Sequence, residues 1–217
     1  MTDLTLFHLP GACSRVTLTA LEHVGVAYKD HVVNLMKGEQ HSPGYLAVNP
    51  RGKIPALLVD GELLAENAAI LSYLHRRWPE AGVLPRATDP LEEAQILADL
   101  FWLASFWHPT VRAMRMPVRW TTGDPAPIKE RGRQLLAGPI AAMDQRFAGQ
   151  EWWFGDDWSI CDTYFYWVCT AALEGGFDFG EMPGILAHRA RVEAQPAFRR
   201  AIVREQSAMT MSTADGA

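Results

Sequence analysis

Short β-like runs alternate with helical patterns as far as Trp78, and beyond Pro90 every apolar pattern is helical. That order restricts the chain to an α/β unit followed by an all-α one. Leu4–His8 reads as a strand, residues 13–24 as a helix, and residues 28–33, with apolar and β-branched side chains, as a second strand. After a polar segment containing Gly38, Pro43 and Gly44, the run Ile54-Pro55-Ala56-Leu57-Leu58-Val59 reaches Asp60-Gly61 and returns from Glu62 to Ala65. Asp-Gly between two apolar runs predicts a hairpin. A helical pattern through Ala69, Ile70, Tyr73, Leu74 and Arg77 then stops before Pro79.

Residues 80–90 are rich in Pro, Gly, Ala and charge and read as a linker, giving expected domains at 1–79 and 91–217. In the second, residues 91–116 carry apolar side chains at helical spacing with a kink expected at Pro109, and residues 126–147 form a helix with a possible break at Gly138-Pro139. Ser159 reads as an N-cap with Asp162 three positions on, where a capping-box acid belongs. Pro183 and Pro196 are expected to start the last two helices, and the tail MSTADGA to fray.

The 217 residues are 48% hydrophobic, enough for a sizeable core, and the formal charge of −5 comes without long runs of either sign. That balance offers no electrostatic footprint for nucleic acid or an anionic membrane. The opening segment has no basic stretch leading into a long apolar one, and charges interrupt every apolar run, so a cytoplasmic protein is expected. Cys161 and Cys169 fall eight residues apart in one expected helix, too far along its axis for a disulfide, which leaves Cys13 without a mate and reduced thiols as the default.

Three segments bear chemistry. Pro10-Gly11-Ala12-Cys13-Ser14 joins the first strand to the first helix, so a thiol and a hydroxyl stand at a helix N-terminus, where backbone N–H groups and the helix dipole favour a thiolate. Read alone it is equally a turn with a small buried cysteine. In Val48-Asn49-Pro50-Arg51-Gly52-Lys53-Ile54-Pro55, the proline opens a strand whose ladder it cannot join as donor. A cis Ile54–Pro55 bond would leave the Ile54 main chain for an extended peptide ligand. Ala65-Glu66-Asn67-Ala68 begins the next helix, a second N-terminus suited to a carboxylate, with Glu66 suited to an ammonium group; alone, these too are ordinary helix-start residues.

At these spacings the three segments together resemble the N-terminal domain of glutathione transferases, most closely the bacterial beta class, over about residues 4–78. The Ser159 to Asp162 segment resembles that family's N-capping box. The resemblance implies a thioredoxin-like domain followed by an all-helical one, with glutathione in the cleft between them and a homodimer as the assembly. It assigns Ile54, beside a cis Pro55, to the cysteinyl unit of glutathione, and Glu66, Asn67 and the helix N-terminus to the γ-glutamyl end. Cys13 would lie near the glutathione sulfur, Ser14 could donate to the thiolate, and His108 could contact glutathione or accept a proton. Lys37, and Lys53 beside Ile54, are the cations available to the ligand. Three departures stand out: Asn67 replaces the usual small residue after the glutamate, Gly38 falls near an expected lysine, and Pro109 follows His108 directly.

The stretch from Phe101 to Trp120 is rich in Trp, Phe and Met. Trp102 is expected to pack, whereas Trp107, Met114 and Trp120 could line a site for an apolar electrophile, and Trp152, Trp153 and Trp167 suit either role. The histidines show no metal-ligand spacing, so no metal is expected. A glutathione S-transferase serving detoxification is the leading expectation. A one-cysteine thiol–disulfide reductase or thioether lyase acting through Cys13, and a non-catalytic ligand-binding protein of the same fold, are the alternatives.

Overall fold

The computed structural model describes residues 2–214, with side chains described as far as Met209. The chain forms two compact units, Met1–Val83 with Gln195–Ala217, and Leu84–Ala194.

The first unit holds β1 (Leu4–His8), α1 (Ser14–Val24), β2 (Lys29–Val32), α2 (Pro43–Val48), β3 (Ala56–Val59), β4 (Glu62–Ala65) and α3 (Asn67–Arg77). The sheet order is β2-β1-β3-β4, with β1 parallel to β2 and antiparallel to β3, and β3 antiparallel to β4. Alternation fixes the register: Leu4, Leu6 and His8 are buried, and Leu6 stands opposite Leu57. The expected hairpin is present. Asp60 (φ 51°) and Gly61 (φ 89°) both take positive φ, the geometry a two-residue turn between right-twisted strands requires, and the Asp60 carboxylate accepts from the Asp3 N–H at 2.8 Å. α3 packs on α1, burying Ala68, Ile70, Leu71 and Leu74.

The last helix, α9 (Pro196–Ala214), groups with this unit, which differs from the expected 91–217 division. Its buried Ala197, Phe198 and Ala201 form the apolar part, and α9 lies on α1. Arg204 donates to Asp30 on β2 (2.6 Å) and to Glu22 on α1 (3.0 Å), and Arg200 to the Glu22 carbonyl (2.6 Å). Sequence periodicity shows that a helix has an apolar face but not which unit covers it. Of the tail expected to fray, 211–214 continue α9, and 215–217 lie outside the described residues.

The second unit contains α4 (Pro90–Trp102), a π turn (Leu103–Trp107), α5 (His108–Arg115), α6 (Ala126–Gly149), α7 (Ile160–Glu174) and α8 (Pro183–Ala194). The kink expected at Pro109 takes the form of this π turn, in which the His108 N–H reaches back to the Leu103 carbonyl; the wider turn makes room for a ring that cannot donate. No break occurs at Gly138-Pro139, and α6 runs through Pro139. The carbonyl deprived of its donor belongs to Leu135, on the exposed side of the helix, where solvent can satisfy it. α7 begins with the expected capping box. Among the described residues no helix is long and apolar enough to cross a membrane.

Candidate active site

Cys13 is the N-cap of α1 and makes no side-chain capping bond there. It is 9% exposed, and its thiol lies 3.7 Å from the carbonyl of Ile54, within reach of a weak S–H···O hydrogen bond. Three sets of bonds hold the segment around it. Ser14 Oγ accepts from the Leu9 N–H at 3.1 Å and donates to the Leu9 carbonyl at 3.2 Å. Glu205 on α9, itself 3% exposed, accepts from the Gly11 N–H (3.2 Å) and from Arg15 Nε (3.0 Å) and its terminal nitrogen (2.6 Å). Asn67, at the start of α3, donates through Nδ2 to the Cys13 carbonyl at 3.1 Å while its Oδ1 accepts from Thr17 Oγ1 at 2.8 Å.

These bonds reassign two expected site residues. Ser14 is fully buried with its hydroxyl committed to Leu9, so it closes the turn between β1 and α1 and is not available to a ligand thiolate. Asn67, 5% exposed, points into the protein as well. A polar side chain at a helix start satisfies whichever backbone group tertiary packing brings closest, and sequence alone cannot say which.

The Ile54–Pro55 peptide is cis, as expected. Two donors fix the carbonyl just before it: Tyr45 Oη (2.6 Å) and Asn49 Nδ2 (2.7 Å) both donate to the Lys53 carbonyl, and Asn49 Oδ1 accepts from the Arg51 N–H at 3.1 Å. Burial pushes the Tyr45 hydroxyl above its ordinary range, keeping it a neutral donor. The side chain of Lys53 is exposed, as is that of Lys37 in the turn after β2. Glu66 is exposed, pairs with Arg51 at 3.3 Å and holds φ 76°, a conformation that costs a non-glycine residue free energy. α3 has no side-chain cap from Glu66. Two helix starts without capping side chains and a pinned extended segment thus lie in one unit.

In the second unit, His108 follows the π turn, its Nδ1 2.8 Å from Tyr164 Oη and its ring centroid 4.5 Å from that of Trp167. Trp107 and Met114, expected to line a substrate site, are core residues instead, at 0% and 1% exposure. Trp107 packs edge-on against Phe165 with centroids 5.3 Å apart, and Met114 fills the space beside Gly132 and Gly175. The spacing that puts an aromatic on an apolar stripe is the same for core and for site. Trp120 is 55% exposed, whereas Trp152, Trp153 and Trp167 are buried. Trp102, at 37% exposure, stacks on Phe106. Among the described residues no group of three or more His, Cys, Asp or Glu side chains is arranged to hold a metal ion.

The other two thiols contrast with Cys13. Both are fully buried; burial drives Cys161 well above the ordinary thiol range and Cys169 up to about 12. Neither is a nucleophile in the folded protein. Residues missed in the sequence include Thr17, one helical turn after Cys13, Tyr45, Asn49, and Arg15 with Glu205, whose partners lie up to 194 positions away in the chain. Only Asn49, in an Asn-Pro-Arg-Gly turn, carried a local signal.

Residues 2–76 match the family model of the glutathione S-transferase N-terminal domain. Maleylacetoacetate isomerase of Pseudomonas aeruginosa is 33% identical over 186 residues, covering 84% of this chain and 87% of that protein. Among solved structures, a glutathione transferase homologue from Sulfitobacter with bound glutathione superposes with a TM-score of 0.82 at 29% identity, over 95% of this chain and 99% of that one. A bacterial beta class glutathione S-transferase from Sphingomonas chungbukensis gives 0.80 at 29% identity, over 93% and 98%. With a four-stranded mixed sheet, Cys13 at the start of α1, a cis proline just before β3 and a helical unit, this chain belongs to the glutathione S-transferase superfamily.

Proposed function

We propose that this protein binds glutathione on its first unit and transfers it, as the thiolate, to an electrophilic carbon of an apolar substrate. The observation that carries this reading is the placement of the Cys13 thiol at the N-terminus of α1, 3.7 Å from the Ile54 carbonyl of the cis Ile54–Pro55 peptide. A peptide-like thiol whose main chain pairs with Ile54 would bring its sulfur toward Cys13 and the dipole of α1. Glu66 supplies a carboxylate for the γ-glutamyl ammonium group, the start of α3 offers N–H groups to its carboxylate, and Lys37 and Lys53 are exposed cations of the same unit.

Cys13 acts as donor to the glutathione thiolate, lowering its proton affinity, and the thiolate attacks carbon as the leaving group departs with its electron pair. His108 is assigned as a glutathione contact or proton acceptor, and Trp120, the exposed aromatic of the three first considered, as a substrate contact. A cytoplasmic homodimer of the beta class serving detoxification is the matching biological reading.

The similarity to maleylacetoacetate isomerase favours a second reading, in which the thiolate adds to a conjugated double bond and is expelled after rotation, with no net consumption of glutathione. One assay set separates the chemistries. The transferase reading expects glutathione thiol to be lost with an aryl halide, and Cys13→Ala to lower that rate about tenfold to a hundredfold without abolishing it. Isomerisation of an acid whose cis double bond is conjugated to a carbonyl, which takes up and returns the electron pair, at constant thiol supports the second reading. Disulfide reduction as the sole activity, abolished in Cys13→Ala, overturns both in favour of a one-cysteine reductase.

A further inference from the structure

We propose that Asn67 and Thr17 are positioning residues: a buried side-chain clamp that locks the start of α3 to the start of α1 and thereby holds Cys13 in place. This inference rests on the reading of the first unit as a glutathione site. Thr17 lies four residues after Cys13 on α1, so its hydroxyl and the Cys13 carbonyl fall along one face of the helix. Asn67 meets both at once, its Oδ1 accepting from Thr17 at 2.8 Å and its Nδ2 donating to Cys13 at 3.1 Å. An amide is the side chain that can accept on one arm and donate on the other. Thr17 is fully buried and Asn67 5% exposed, so neither bond competes with solvent.

The bonds span 50 and 54 positions, so they tie together two elements that local structure leaves independent. The consequence is a fixed separation between the two helix starts, one offered to the thiol and the other to the γ-glutamyl end of one ligand. Asn67 turned inward leaves the start of α3 only its backbone N–H groups and Glu66 for a ligand. Glu66, held at φ 76° immediately before the clamp, is the kind of residue that persists in such a conformation only where its surroundings over-determine it.

The test needs no ligand: the rate at which iodoacetamide modifies Cys13 in the native protein near neutral pH. Cys161 and Cys169 do not contribute, being fully buried with raised thiol pKa values. Thr17→Val removes one hydroxyl at nearly constant volume, and Asn67→Ala removes both arms. Each is expected to slow modification about fivefold to tenfold as Cys13 leaves the axis of the α1 dipole, the double variant to slow it no further than Asn67→Ala, and Thr17→Ser to restore the wild-type rate. An unchanged or faster rate in Thr17→Val with a wild-type thermal midpoint overturns the clamp, as does additivity in the double variant. Should Asn67→Ala fail to fold, the Thr17→Val and Thr17→Ser pair decides alone. Failure of the glutathione reading shows separately, as absence of glutathione binding by the wild-type protein.

Discussion

The starts of α1 and α7 solve one problem in opposite ways. At α7 the buried start of the helix is closed from within: Asp162, fully buried, accepts from the Ser159 N–H (2.8 Å) and hydroxyl (3.1 Å), the Trp153 N–H (2.7 Å) and His188 Nε2 (2.9 Å). At α1 the N-cap is a cysteine without a side-chain capping bond, and the surrounding segment is held by Leu9 in the turn after β1 and by residues of α3 and α9. A helix start that serves the fold uses its own side chains, whereas one offered to a ligand presents its dipole and a side chain not spent on capping, and borrows its rigidity from elsewhere.

If that contrast is right, substitutions at the two sites should divide between stability and activity. Asp162→Ala is expected to have the largest effect, because it strands buried donors from three residues; a loss of about 3 kcal/mol in urea unfolding is the expected size. Cys13→Ala should do the converse, changing unfolding free energy by no more than about 1 kcal/mol, since no capping bond is lost, while conjugation falls as described above. A stability loss at Cys13 matching that at Asp162 would erase the distinction.

Glu66 offers a sharper version within one residue. Glu66→Gly relieves the positive φ and should raise stability by about 1 kcal/mol, yet weaken glutathione binding; its ion pair with Arg51 is exposed and adds little to either. The smallest effect is on pH dependence. Burial holds His188 below the ordinary histidine range, against the opposing pull of Asp162, so the unfolded chain binds a proton more readily than the folded one. Stability present above the unfolded histidine pKa is then lost as pH falls from about 7 toward 5. His23, lowered chiefly by burial, adds to the same slope. The thermal midpoint should fall over that window, and His188→Gln should flatten the decline without removing it.

What the sequence made legible follows the same line between local and remote causes. The Asp60-Gly61 hairpin, the Ser159 to Asp162 capping box and the proline-started helices α8 and α9 are written in neighbouring residues, and each is present. The cis Ile54–Pro55 bond was legible only in its context, a proline opening a strand after an Asn-Pro-Arg-Gly turn. The inward turn of Asn67, the commitment of Ser14 to Leu9, the burial of Trp107 and Met114 and the grouping of α9 with the first unit depend on which surfaces meet after folding. No spacing rule reports those, because an apolar or hydrogen-bonding residue reads the same before its partner is known.

Calorimetric titration of the reduced protein with glutathione tests the central claim most directly. Saturable binding of one glutathione per chain, weakened about tenfold by Glu66→Ala, is the result the account predicts; no binding to the wild-type protein, or an affinity indifferent to Glu66, would contradict it.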